Sequence, residues 1–141
     1  MPGVAEAESE PDVLTVRSRQ RADALDITGQ VQGVVGRSRI ERGVCRVYVP
    51  HTTAGVFINE NADPDVLHDF LTSLDQLVPW VKAYRHAEGN AAAHIKATLI
   101  GTSQQVPVRQ SKLALGRWQG IFLIEFDGPR ERQVRITVVP G

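Results

Sequence analysis

A single cysteine, Cys45, rules out an intrachain disulfide, so stability must come from a packed core and not from covalent staples. No apolar run approaches the roughly 18 residues of a membrane span, which argues against a transmembrane helix. The N-terminus has no basic stretch followed by an apolar one, so no secretory signal is expected and a cytoplasmic protein fits best. A basic excess is also missing. Sixteen Lys and Arg balance sixteen Asp and Glu, which speaks against general nucleic-acid binding, where phosphates have to be neutralised. Histidine is absent from all 97 residues outside positions 51–94.

What is present has the texture of one soluble domain, with 42% hydrophobic and 23% charged residues, long enough to bury a core. Residues Met1 to Asp12 carry Glu6, Glu8, Glu10 and Asp12 with little apolar content, and read as a disordered acidic tail. Residues 13–141 read as the domain. Alternation predicts strands over Val13–Arg19, Ala24–Thr28, Val44–Val49, Gly55–Asn59, Gln105–Arg109, Trp118–Phe126 and Arg132–Val139. The last two are expected to pair as a long hairpin about Asp127-Gly128-Pro129-Arg130.

Two main helices are expected. Asp63-Pro64 is an N-cap followed by proline at the first helical position, and Val66, Leu67, Phe70, Leu71, Leu74, Leu77 and Val78 form one apolar face. His68 and Asp69 fall on the flanks of that face. Asn90 can cap a second helix that ends at Gly101, with Ile95 and Leu99 turned inward and His94 on a flank. Gly29–Arg39 has helical spacing in Ile27, Val31, Val34 and Val35, but Gly33 and Gly36 weaken it. The expected class is α+β: a curved, largely antiparallel sheet with two helices packed on it. Cys45, in a strand-like run, is expected to be a packed residue and not a nucleophile. Glu125 aligns with apolar neighbours and needs a partner, such as an arginine or a metal.

All four histidines, His51, His68, His86 and His94, lie in one 44-residue window with carboxylates and carboxamides around them. Imidazole binds metals and moves protons near neutral pH. Three imidazoles from separate segments with an open position would make a catalytic zinc-type site, and Glu60, Asp63 and Asp69 supply oxygen ligands. Such mixed ligands suit zinc, manganese or magnesium in different degrees. The bland readings are capping and solvated surface. Asn59-Glu60-Asn61 is rich in turn chemistry, but Glu60 beside histidines is a candidate general base. Gly101-Thr102-Ser103 can be only a cap and turn. Arg130 sits in a turn where its fork could hold phosphate, and Lys96 could bind an anion near a metal.

Read in order, His51-Thr52-Thr53-Ala54, Asn59-Glu60-Asn61-Ala62-Asp63-Pro64, His68-Asp69, His86, His94-Ile95-Lys96, Gly101-Thr102-Ser103 and Gly116-Arg117-Trp118-Gln119-Gly120-Ile121 resemble the YjbQ family. That family is also called uncharacterised protein family 0047, or the secondary thiamine-phosphate synthase family. The resemblance covers Val13 to the C-terminus. It implies a half-barrel sheet, a homotrimer with pockets near the subunit boundaries, and a metal-associated cluster at His51, His86 and His94. It also implies weak thiamine-phosphate-synthase activity, joining a pyrimidine diphosphate to a thiazole phosphate and releasing pyrophosphate. The chain departs from the family pattern at Ser111 and Arg117, and in a shorter Ala87-Glu88-Gly89-Asn90 segment without paired aspartates.

On this reading the chain is a metal-dependent transferase, with zinc or magnesium as cofactor and a small phosphorylated substrate as partner. His51, His86 and His94 serve as ligands or acid/base groups, and Glu60 as base or orienting carboxylate. Lys96 and Arg130 neutralise phosphate. Asn59, Asn61 and Ser103 hold the substrate by hydrogen bonds. The rival readings are a small-molecule or metal-binding module with incidental activity, and a metal-dependent phosphate hydrolase. Trp118, beside Phe122 and Ile124 in the pattern, is expected to pack in the core.

Overall fold

The computed structural model describes residues 11–141. The expected tail lies outside the described residues except for Pro11 and Asp12, and Asp12 already opens the first strand. Eight strands and three helices follow in the order β1 (Asp12–Arg17), β2 (Asp23–Asp26), α1 (Thr28–Ser38), β3 (Arg42–Tyr48), β4 (Ala54–Glu60), α2 (Pro64–Leu77), α3 (Ala91–Ile100), β5 (Ser103–Arg109), β6 (Lys112–Leu113), β7 (Gln119–Glu125) and β8 (Glu131–Pro140). Every strand pairing is antiparallel. The strands form a curled half-barrel in two sheets, β1-β8-β3-β5-β6 and β2-β7-β4. The α+β class with a curved antiparallel sheet therefore holds, with one helix more among the described residues than the two expected.

The additional helix is α1. Two glycines inside a helix cost about 1 kcal/mol each relative to alanine, whereas burying a valine is worth about 1.5–3 kcal/mol. Val31, Val34 and Val35 are all buried, so the helix forms despite Gly33 and Gly36. Its start is fixed by Asp26, whose carboxylate accepts from both the amide and the hydroxyl of Thr28. These valines join Ile27, Cys45, Val47, Val56, Val106, Ile121, Leu123, Val134 and Ile136 in one core between the two sheets. Cys45 is fully buried there, and burial pushes its thiol up to about 11, as suits a packing residue.

A second cluster lies on the other face of β2-β7-β4. Leu74 of α2, Ala93 and Ala97 of α3, and Ile124 and Phe126 meet there, flanked by Phe57 and Phe70. Residues 120–126 are consequently buried on both faces. The helix α3 is turned differently from its expected orientation. Ala92, Ala93, Lys96 and Ala97 face inward, while Ile95 is 40% and Leu99 58% exposed. Small side chains let the helix backbone approach the sheet, and that close approach outweighs burial of the larger residues. On α2 only Leu74 is buried, and Leu77 is exposed.

The expected hairpin between the last two strands does not exist. β7 already has β2 and β4 as neighbours, and β8 has β1 and β3. Residues 127–130 thus carry the chain from one sheet into the other. Alternation reveals which residues share a face; it does not reveal which strand is the neighbour. Trp118 also departs from expectation. It precedes β7, is 56% exposed, and has the Arg117 guanidinium 4.8 Å from its ring centroid. No helix among the described residues is long and apolar enough to cross a membrane.

Candidate functional site

β3 ends at Tyr48, and the segment from Val49 to Thr53 crosses to the other sheet before β4 begins. His51 and Thr52 lie on this crossing. The amide of Val49 donates to the Thr102 carbonyl, which brings the crossing against the segment that follows α3. Gly55 is required at this contact, because a Cβ there would lie 2.5 Å from the Gly101 carbonyl oxygen. Between the two segments is a cavity of about 310 Å³ lined by His51, Thr52, His94, Ala97, Thr98 and Thr102. A groove of about 230 Å³ adjoins it and shares His94 and Thr98, with Ile95 and Leu99 as its apolar floor.

Two imidazoles from distant parts of the chain thus face one cavity. A third, His86, stands edge-on to His94, with ring centroids 5.1 Å apart and planes at 79°. The Glu88 carboxylate lies 3.9 Å from His86 Nε2, too far for a hydrogen bond. The His51 ring is fixed: its Nε2 accepts from the amide of Gln133 on β8 at 2.9 Å. Burial, and then the nearby Arg132 guanidinium, lower the His51 pKa below the ordinary histidine value. Thr98 donates its hydroxyl to the His94 carbonyl, one turn back on α3.

Behind the crossing is a buried polar network. Arg132 Nε donates to Glu125 Oε1 at 2.8 Å, and its Nη2 donates both to Glu125 Oε2 and to Thr53 Oγ1, the latter at 2.7 Å. The Ser18 hydroxyl and the Asp127 amide complete the carboxylate's shell. The partner that Glu125 needed is therefore an arginine.

The other expected site residues are placed elsewhere. Glu60 is at the far end of β4 from His51, so the length of that strand, about 20 Å, separates them. Beside it, the Asn59 side chain accepts from the Glu60 amide, and Asn61 donates to Asp26. Gly120 lies so close under Asn61 that a Cβ would sit 2.6 Å from its Nδ2. His68 and Asp69 are exposed on α2. Lys96 is buried, and its ammonium donates to Asp75 at 2.8 Å. Arg130 is held by Asp127, through the backbone carbonyl at 2.8 Å and the carboxylate at 3.0 Å. Burial raises the Asp127 pKa, but hydrogen bonds from Asn90 and Arg130 outweigh it and leave the group below the usual range. Ser103 follows Thr102 directly and pairs with Tyr48 at the rim of the cavity.

Within one chain, then, the fold unites His51, His86 and His94 loosely and Glu60 not at all. Among the described residues no group of three or more His, Cys, Asp or Glu side chains is arranged to hold a metal ion. Thr52, Thr98 and Thr102 are the cavity residues that sequence reasoning missed. Thr52 and Thr102 stand in the segments His51-Thr52-Thr53-Ala54 and Gly101-Thr102-Ser103 without an assigned role, and Thr98 lies four residues after His94 on one helix face. A larger open groove of about 610 Å³, lined by Glu41, Arg42, Arg109 and Gln110, contains no imidazole. The smaller cavity is the better candidate because its side chains can transfer protons near neutral pH.

Comparison with known proteins agrees with this assignment of fold. The family model described as "UPF0047 protein YjbQ-like" matches residues 12–141. YugU of Bacillus subtilis, a UPF0047 protein, is 46% identical over 127 residues, covering 89% of this chain and 96% of its own length. A UPF0047 protein of Methanocaldococcus jannaschii is 44% identical over 124 residues, covering 88% of this chain and 90% of its own. The crystal structure of an uncharacterised YjbQ/UPF0047 protein from Clostridium acetobutylicum superposes with a TM-score of 0.89 at 47% identity, covering 91% of this chain and 99% of that one. A chain matched from its first strand to its last residue, at this identity and with this fold, belongs to the UPF0047 (YjbQ-like) family.

Proposed function

We propose that this chain is a cytoplasmic enzyme that binds a small phosphorylated substrate in the cavity between His51 and His94. The carrying observation is the convergence of these two imidazoles with Thr52, Thr98 and Thr102 on one space of about 310 Å³. That volume is at the small end of ligand pockets and suits one phosphate-bearing group. The hydroxyls of Thr52 and Thr102 and imidazole N–H groups can donate to oxyanions, the Thr98 proton being held by the His94 carbonyl, while the adjoining floor of Ile95 and Leu99 suits a heteroaromatic ring.

The reaction we assign is transfer of the thiamine-phosphate-synthase type. A pyrimidine–carbon to oxygen bond breaks, diphosphate leaves, and the carbon bonds to the thiazole nitrogen. Its demand is stabilisation of the leaving diphosphate, which the donors of the cavity can supply. Lys96 and Arg130 do not enter the assignment unless they leave Asp75 and Asp127, which now hold them. A divalent metal fits only part of the expected ligand set. His86 and His94 can share an ion, and paired imidazoles favour zinc over magnesium. His51 does not fit as the third ligand, since its Nε2 faces an amide donor. We assign no step to the metal. A homotrimer would cover part of the exposed apolar surface at Leu77, Val81 and Trp118.

The test is turnover. Wild-type protein incubated with the pyrimidine diphosphate and the thiazole phosphate should release pyrophosphate, and His94→Ala should lower the rate at least tenfold, by order of magnitude for a lost acid/base group. Orthophosphate release from the diphosphate alone would replace transfer by hydrolysis. Binding without turnover would leave a binding module.

A further inference from the structure

The pairing of β3 with β8 stops at Tyr48 and Arg135. Two residues earlier on β8, the amide of Gln133 has no β3 rung to join, and it donates to the ring of His51 instead. A backbone amide can only donate. The ring nitrogen it faces must therefore be unprotonated, and a neutral imidazole then carries its proton on Nδ1. Turning the ring over would point the amide at a carbon, so the hydrogen bond fixes orientation and tautomer together.

Arg132 braces both ends of this bond. It immediately precedes Gln133 in the chain, and its guanidinium reaches Thr53, two residues after His51, while Glu125 anchors it from behind. The side chains of Arg132 and Glu125 are both buried, so the brace is built into the core. A ligating histidine ordinarily keeps an N–H on its second nitrogen and gives that proton to an acceptor. Here the second nitrogen meets a donor, which is the opposite arrangement.

We propose that His51 is a fixed, neutral hydrogen-bond donor, its Nδ1–H set by the Gln133 amide to hold an oxygen of a phosphate group in the cavity. Partial burial of the ring, and then the nearby Arg132 charge, lower its pKa below the ordinary histidine value, in the same direction as the geometry. The inference rests on the cavity being the substrate site, and it assigns His51 a binding role separate from that of His86 and His94.

Long-range proton–nitrogen correlation spectra of the wild-type protein near neutral pH read the tautomer directly. The expected result is a protonated Nδ1 and an unprotonated Nε2 at His51. Titration with inorganic phosphate should then shift the Nδ1–H signal, and His51→Ala should weaken phosphate binding about tenfold, the scale of one such hydrogen bond. A protonated Nε2 would overturn the proposal. So would a phosphate titration that leaves Nδ1–H unmoved, or zinc bound through His51. Loss of the transferase reading alone has a different signature: the tautomer and the phosphate shift persist, and no pyrophosphate is released.

Discussion

Arg132 and Glu125, seven residues apart, lie on strands of different sheets and join them at the corner of the half-barrel. Their side chains are 6% and 0% exposed. Neither charge can be solvated if the other is removed, and breaking a buried pair typically costs about 3–5 kcal/mol. Arg132→Leu and Glu125→Leu should each lower stability by about that amount in denaturant unfolding, also through the loss of the Ser18 and Thr53 contacts. The double variant should lose clearly less than the two together, because it leaves no unpaired charge. Additive losses would show that the pair does not act as a unit.

Asp75 and Lys96 join α2 to α3, and here the charges differ in exposure: 52% for Asp75 and 5% for Lys96. Asp75→Asn strands a buried ammonium, but solvent at the carboxylate side screens the loss, so the expected cost is about 1–3 kcal/mol. The hydrogen bond from Lys96 is the main cause that lowers the Asp75 pKa. A carboxylate lowered on folding contributes stability above its unfolded pKa of about 3.9 and loses it as pH falls through the folded value. Wild-type stability should therefore decline below about pH 4 more steeply than that of Asp75→Asn. Parallel acid-unfolding curves for the two proteins would exclude the pair as a contributor.

The same residues show what could be read from the chain. Strand positions followed from alternation, the start of α2 from Asp63-Pro64, and the need of Glu125 for a partner from its apolar neighbours. Pairing partners did not follow, because two strands adjacent in sequence have the same alternation whether they share a sheet or cross between sheets. The inward face of α3 was misjudged since size was weighed above close approach, and Lys96 beneath that helix was not expected. In the site, His51 and His94 could be grouped by composition. The amide of Gln133, which fixes one of them, has no side-chain signature at all. Glu60 shared the window of histidines in sequence, but an extended strand turned that closeness into distance.

Trp118 offers a simple check on the exposed end of β7. With the residue 56% exposed, less than half of its surface is available to packing in the chain. Full burial of a large apolar side chain is worth about 1.5–3 kcal/mol, so if only its own chain covers it, Trp118→Ala should cost only about 1 kcal/mol in denaturant unfolding. Its neighbour Arg117 loses a cation–π contact of the exposed, weak kind. A loss of 3 kcal/mol or more, on the scale of aromatic truncation in a core, would mean that Trp118 is covered by something besides its own chain.

Metal binding should divide the three histidines. His86 and His94 stand with ring centroids 5.1 Å apart, near enough for both to turn a nitrogen toward one ion. His51 shares the cavity with His94 but presents the wrong nitrogen, since Nε2 is engaged by Gln133. Zinc measured by calorimetry on untagged protein should bind the wild type and His51→Ala with similar affinity. His86→Ala and His94→Ala should each weaken it by at least the roughly 10–100-fold that follows loss of a mere outer-shell partner, because here a ligand itself is removed. Equal weakening by all three variants would restore His51 to the ligand set and would also remove its role as a donor. If His86→Ala and His94→Ala bind as the wild type does, the imidazole pair is not a metal site, and the cavity's chemistry must then rest on proton transfer and hydrogen bonding alone.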